Sequence, residues 1–166
     1  MIDSMAYWLT IELEHGSIAP LPAAMDAQAG SRVYGTTVPQ ILKQLDRFTQ
    51  ALGVESIDNF IYKDLKGYTK ILAEAESEAN AVLADVMRAE ISVLTAQPRW
   101  HQPAFARQTI VTLKEFVTRN HHVLPGRNPQ DTARWILWDL AAYDLILADA
   151  EYQGLKFAFV ERENFN

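Results

Sequence analysis

The sequence predicts an α+β domain, predominantly helical, with four to five helices packed on a small sheet that includes strands from both chain ends. Three observations predict it. Near each end a short run alternates apolar and polar residues, the period of two that a half-buried strand requires. Between these runs, apolar residues recur every three to four positions, as on a helix with one buried side. Prolines and glycines punctuate the joins, and no internal repeat, low-complexity tract or interdomain linker interrupts the pattern. A chain of 166 residues fits one globular domain, 1–166, large enough to bury a sizeable core.

Residues 5–13, MAYWLTIEL, place Tyr7, Leu9, Ile11 and Leu13 on one side and Trp8, Thr10 and Glu12 on the other. This is the first strand. Residues 16–36 are rich in Gly, Pro, Ala and Ser without a clear period, so a loop is expected there, long enough to be either mobile or functional. TVPQILKQLDRFTQALG opens the first helix. Thr37 is its expected cap, Gln40 sits at the capping-box position, and Pro39 is tolerated in the first turn. Ile41, Leu42, Leu45, Phe48 and Leu52 form the expected buried stripe, and Gly53 ends the helix. Residues 56–62 read as a short turn or helix that packs Ile57, Phe60 and Ile61.

The longest periodic run, 64–96, predicts one long helix. Leu72, Ala79, Val86 and Val93 recur every seven residues, with Ala75, Val82 and Ala89 between them. This heptad allows a coiled coil, and hence a homodimer through helix 64–96. The seam is small and lacks a leucine ladder, so a core-packing helix whose alanines permit close approach is the preferred reading; Gly67 marks a break near its start. Pro98 and Pro103 bracket the segment RWHQ, and Pro103 fits the first turn of a helix to about Asn120 with Ala106, Ile110, Leu113 and Val117 inward. For the last helix, Asn128 is the cap, Pro129 takes the first position, and Asp131 complements the dipole. It runs to Gly154, and Trp135, Ile136, Trp138, Leu140, Tyr143, Leu145 and Leu147 surround most of its circumference, which predicts the central helix of the core. LKFAFVE follows as the second strand, alternating Leu155, Phe157 and Phe159 with Lys156, Ala158 and Val160.

Composition narrows the function. Fifteen Lys and Arg against 21 Asp and Glu give a net charge of −6, which disfavours a general nucleic-acid binder because neutralising phosphates needs a basic surface. Cysteine is absent, removing disulfides, thiolate metal sites and cysteine nucleophiles, and suiting a reducing cytoplasm. The first residues carry no basic segment ahead of an apolar run, so no signal peptide is expected. No window approaches the roughly 20 apolar residues that cross a bilayer. A soluble cytoplasmic protein without membrane contact is therefore expected.

Motif-bearing chemistry is sparse. His15, His101, His121 and His122 form no His-x-x-x-His or His-Glu-x-x-His pair, and the adjacent His121 and His122 diverge on either a helix or a strand. No metal site or cofactor is expected. Glu74, Glu78 and Asp85 read as a solvated acidic stripe, while Asp139, Asp144 and Asp149, five apart, diverge by about 140°. Asp139 and Tyr143 are spaced to touch, and a buried pair of that kind is more often structural than catalytic. No nucleophile elbow, P-loop or dinucleotide fingerprint is present.

Charge is more informative. Residues 99–134 hold Arg99, Arg107, Lys114, Arg119, Arg127 and Arg134 against Glu115 and Asp131, a local balance of +4 that leaves −10 on the rest. The segment TRNHHVLPGRNPQDTARW makes Arg119, His121, His122, Arg127 and Arg134 the expected anion- or partner-binding residues. Helix-end chemistry accounts for most of the same pattern and is the preferred reading of it, since cations favour a helix C-terminus, and Pro129 and Asp131 weaken anion capture at the next helix start. Of the tryptophans, Trp8 lies on the nominally polar strand face, Trp100 reads as a buried hinge-packing residue with an exposed partner anchor as the alternative, and Trp135 and Trp138 share a core-facing side. The expected function is a non-enzymatic, protein-binding or regulatory module of inhibitor or immunity type. The alternative is a small enzyme with His101, His121 or His122 as general base and arginines holding an anionic substrate.

Overall fold

A computed structural model of the chain describes residues 7–16, 18–20, 22, 25 and 34–163. The fold is α+β and predominantly helical: five helices among the described residues, with a two-stranded antiparallel sheet formed by the N- and C-terminal strands. Most of the loop expected over residues 16–36 lies outside the described residues. Contacts divide the chain into two compact units, residues 1–61 with 100–166, and residues 62–99.

In the first unit, strand β1 (Tyr7–Leu13) pairs with β2 (Phe157–Glu163) so that Leu9 faces Glu161, Ile11 faces Phe159 and Leu13 faces Phe157. The expected alternation holds on one face, where Leu9, Ile11, Phe157 and Phe159 are fully buried. It fails on the other, because Thr10 and Ala158 are buried as well. Short backbone segments also occupy the outer edges. Ile61 bridges Phe159 in parallel and His101 bridges Phe157 antiparallel, while Leu9 donates its N–H to the Gly35 carbonyl at 2.8 Å. Both strands thus have partners on each side near the centre, leaving few unpaired edge groups there.

The first helix begins differently from the expectation. Residues Val38–Ile41 form a 3-10 turn, and α1 follows over Leu42–Leu52. Thr37 makes no side-chain cap; the orphan backbone N–H groups of Thr37 and Val38 donate instead to Asp139, 101 to 102 residues away. Leu45 and Thr49 are the buried residues of α1, while Leu52, expected inward, is 40% exposed. Gly53 ends α1 at φ 74°. After the Ile57–Phe60 turn, whose Ile57 and Phe60 are buried as expected, the second unit begins.

That unit contains two helices where one was expected. α2 spans Lys66–Ser77 and α3 spans Ala81–Ala96. The break is a helix-terminating motif: the Asn80 N–H reaches back to the Ala75 carbonyl at 2.8 Å and the Ala79 N–H to Glu76 at 3.2 Å, with Ala79 left-handed at φ 55°. Such a stop is usually marked by glycine, and an alanine there hides it in the sequence. Asn80 then caps α3 by accepting from the Leu83 N–H at 3.2 Å. Gly67 lies inside the first turn of α2 and breaks nothing.

Back in the first unit, α4 (Pro103–Arg119) and α5 (Pro129–Gln153) form the main helical pair. Ala106, Ile110, Leu113 and Val117 are buried at helical spacing as expected, and each fully buried Ile, Leu or Val contributes roughly 1.5–3 kcal/mol. α5 is capped by Asn128, whose side chain accepts from the Gln130 and Asp131 N–H groups, and it ends at Gly154 with φ 72°. Ile136, Leu140, Ala142, Tyr143 and Leu147 are its fully buried face; Leu145, also expected in the core, is 41% exposed. Aromatic contacts tie the layers together: Phe48 of α1 meets Phe116 of α4 at 4.7 Å, and Tyr143 of α5 meets Phe159 of β2 at 4.9 Å.

Candidate functional site

Two groupings concentrate the polar chemistry of the first unit. One is buried under the sheet. Asp139, fully buried on α5, accepts the backbone N–H groups of Gly35 at 2.8 Å, Thr37 at 2.8 Å and Val38 at 3.0 Å. One turn on, the Tyr143 hydroxyl donates to the Leu9 carbonyl at 2.6 Å. The Tyr34 hydroxyl donates to the Ala19 carbonyl at 2.7 Å and accepts from the Ile11 N–H at 3.3 Å. The two tyrosine rings meet edge to face at 5.9 Å. Asp139 and Tyr143, one turn apart and both buried, act structurally and divide the work: the carboxylate holds the 35–38 backbone, and the phenol holds β1.

Burial explains the electrostatics of this cluster. Desolvation raises the Tyr34 hydroxyl to about 12, the Ile11 hydrogen bond and the Arg162 charge acting against it. Tyr143 is raised well above the usual tyrosine value, first by burial and then by the negative charge of Asp139. Gly35 is required by the same geometry: at φ +86° a Cβ would stand 2.3 Å from the Leu9 carbonyl oxygen. With Asp139 and Tyr143 fully buried and Tyr34 5% exposed, the cluster presents no surface to a substrate. Its role is to fasten the 34–38 segment between β1 and α5.

The other grouping is the connection from α4 to α5, which carries all five residues expected to bind an anion or a partner. Arg119 is the last residue of α4, where a cation complements the helix dipole. His121 and His122 lie in the short 3-10 turn His121–Val123. Arg127 is exposed in the loop, and Arg134 is exposed one turn into α5. Arg134 is engaged, 3.6 Å from Asp131 and with its guanidinium 4.6 Å from the centre of the Trp135 ring. Arg119 and Arg127 make no ion pair among the described residues. The histidine rings stand 6.3 Å apart, edge to face at 81°. Groups of three or more His, Cys, Asp or Glu able to hold a metal are absent among the described residues.

Elsewhere the basic segment is partly neutralised within the fold. Arg107 donates to Asp144 at 3.1 Å and to Glu151 at 3.0 Å, so it bridges α4 to α5; these two bonds raise its pKa further. Arg99 belongs to the second unit, with its guanidinium 4.2 Å from the centre of the Tyr62 ring. Neither pairing was legible from spacing, because Arg107 and its acids are 37 and 44 residues apart.

His101 is half-buried, and desolvation lowers its pKa. Its ring packs edge-on to Phe60 at 5.3 Å and tilted against Phe157 at 6.2 Å, while its backbone exchanges two hydrogen bonds with Phe157 at 2.8 and 3.0 Å. No side-chain hydrogen bond from His101, His121 or His122 to a carboxylate occurs among the described residues. A shallow depression lined by Pro39, Gln40, Leu42, Lys43, Gln44 and Arg47 contains none of these histidines. Comparison with protein-family models, with curated proteins and with solved structures finds no match to the chain.

Proposed function

We propose that the protein is a non-enzymatic binding module, of inhibitor, immunity or regulatory type, whose contact surface for a protein partner includes the α4–α5 connection. One observation carries the reading: Arg119 and Arg127 are exposed and without an ion pair among the described residues, although the chain has six more acids than bases. Arginines of this kind steer and hold an acidic surface. His121 and His122 flank them and add donors. The net charge favours a protein partner over nucleic acid, and among the described residues no helix is long and apolar enough to cross a membrane. The cysteine-free composition supports a cytoplasmic site of action.

The alternative, an anionic-substrate enzyme with a histidine base, has weaker support. Its best candidate, His101, is packed on Phe60 and Phe157 rather than oriented by a carboxylate. The discriminating experiment reverses Arg119→Glu, Arg127→Glu and Arg134→Glu together. The far-ultraviolet circular dichroism should be unchanged, since these side chains are exposed, while capture of a specific partner should fall at least about tenfold and weaken with added salt in the wild type. Undiminished capture by the triple variant removes the α4–α5 connection as the contact surface.

A further inference from the structure

The second unit carries more large apolar surface outside than inside. Its buried residues are Ala75, Ala84 and Met87, whereas Val82 is 77% exposed, Val86 58% and Val93 57%. On α3 the half-buried Ile91 and Leu94 join Ala84 and Met87 on one face. At about 100° per residue, Val82, Val86, Ala89 and Val93 fall within an arc of about 60°, centred about 150° from that face. α3 is therefore apolar on two opposite sides, one turned inward and one uncovered. A helix that is apolar on both sides is ordinarily covered on both.

We infer that the uncovered stripe is the contact of a symmetric homodimer in which α3 packs antiparallel against α3 of a second copy. The pattern is self-complementary in that direction. Aligning Val82 with Val93 of the second copy places Val86 against Ala89, Ala89 against Val86 and Val93 against Val82. Every layer is apolar, and the alanines let the helices approach closely. The flanking residues select the orientation. In the antiparallel register Asp85 lies beside Ser92 of the second copy and Glu90 beside Leu83, so no like charges meet. A parallel pair would set Asp85 against Glu90 of the second copy on both sides, which is repulsive. Two-fold symmetry closes the assembly at a dimer. With α3 at 16 residues, about 24 Å long, the contact falls short of the usual area of a tight interface, so dissociation in the micromolar range is expected.

Sedimentation equilibrium on the full chain should show a reversible monomer–dimer equilibrium. Val86→Asp, on an exposed position, should leave the circular dichroism unchanged and raise the dissociation constant at least about 100-fold. The natural absence of cysteine makes orientation directly readable. Under oxidant, an equimolar mixture of Val82→Cys and Val93→Cys chains should form a mixed disulfide. Val82→Cys alone should not, since the two sites lie roughly 16 Å apart in the antiparallel pair. A chain that stays monomeric at about 500 μM, a dimer undisturbed by Val86→Asp, or efficient self-linking of Val82→Cys would each overturn the inference. None of these readouts depends on the arginines of the α4–α5 connection, so the two readings stand or fall separately.

Discussion

At Asp139 one carboxylate takes the place of the water that three backbone N–H groups would otherwise bond. Its two oxygens are shared out, Oδ1 to Gly35 and Oδ2 to Thr37 and Val38. Asp139→Asn turns an amide donor toward at least one of these N–H donors. The variant is expected to lose about 2–4 kcal/mol, read as a lower urea midpoint, with no change in partner capture. The neighbouring tyrosines give the fold an alkaline limit. Tyr34 is neutral in the native state up to about 12, whereas an unfolded tyrosine ionises near 10. The raised native value means that this contribution is fully present below pH 10 and is lost as pH rises from 10 toward 12. Urea midpoints should fall across that window, and Tyr34→Phe should flatten the decline. An unchanged slope in the variant would remove Tyr34 as its source. The proposed binding residues were legible only as types. Arg119, Arg127 and Arg134 stand out in the sequence by charge, yet the pairing of Arg134 with Asp131 and the freedom of the other two from ion pairs among the described residues depend on conformation.

Helix ends separate what was readable from what was not. At Gly53 and Gly154 the backbone turns left-handed and the N–H groups reach back to residues three and five earlier, with Gly53 and Val54 bonding Gln50 and Thr49, and Gly154 and Leu155 bonding Glu151 and Ala150. The same pair of bonds ends α2 at Ala79 and Asn80. Glycine announces the first two stops, whereas alanine at the third makes 64–96 look like one helix. Ala79 is the described residue other than glycine at positive φ, 55°, a conformation costly for a side chain bearing Cβ. Ala79→Gly is therefore expected to stabilise the hairpin by about 0.5–1 kcal/mol, measured as raised thermal stability of the second unit; a lowered midpoint would argue against strain at this turn. The start of α1 failed as a local prediction for the opposite reason. Thr37 and Gln40 have the right identities for a capping box, but the buried Asp139 competes more effectively for the N–H groups, and Gln40 turns its amide to the Thr36 carbonyl at 2.8 Å.

Across the molecule, cohesion is unequal. The first unit is cemented by α4 on α5, by the strand pair and by the Asp139–Tyr143 fastening, all made of fully buried side chains. The second relies on Ala75, Ala84, Met87 and partly buried neighbours, with the exposed Arg88–Glu76 and Arg88–Asp85 pairs adding little. Native-state hydrogen exchange should accordingly be fastest within residues 66–96 and slowest along α4 and α5. At protein concentrations where the α3 stripe is covered by a second copy, the hairpin amides should slow while those of α4 and α5 do not. Uniform protection across both units would contradict this hierarchy.

The sequence by itself determined the helical α+β class, strands at both ends, the inward face of α4, the Asn128–Pro129 start and Gly154 end of α5, and the crowding of cations between residues 99 and 134. All of these rest on short-range patterns of period, cap and charge, which neighbouring residues carry in full. Only the tertiary structure decided that Asp139 caps the 38–41 turn, that Gly35 must lack a side chain beneath Leu9, that Arg107 is spent on Asp144 and Glu151, and that the heptad valines of α3 face outward. Each of those outcomes joins groups distant in sequence or depends on which side of a helix another element covers. Periodicity reveals that a stripe exists; packing determines what lies against it.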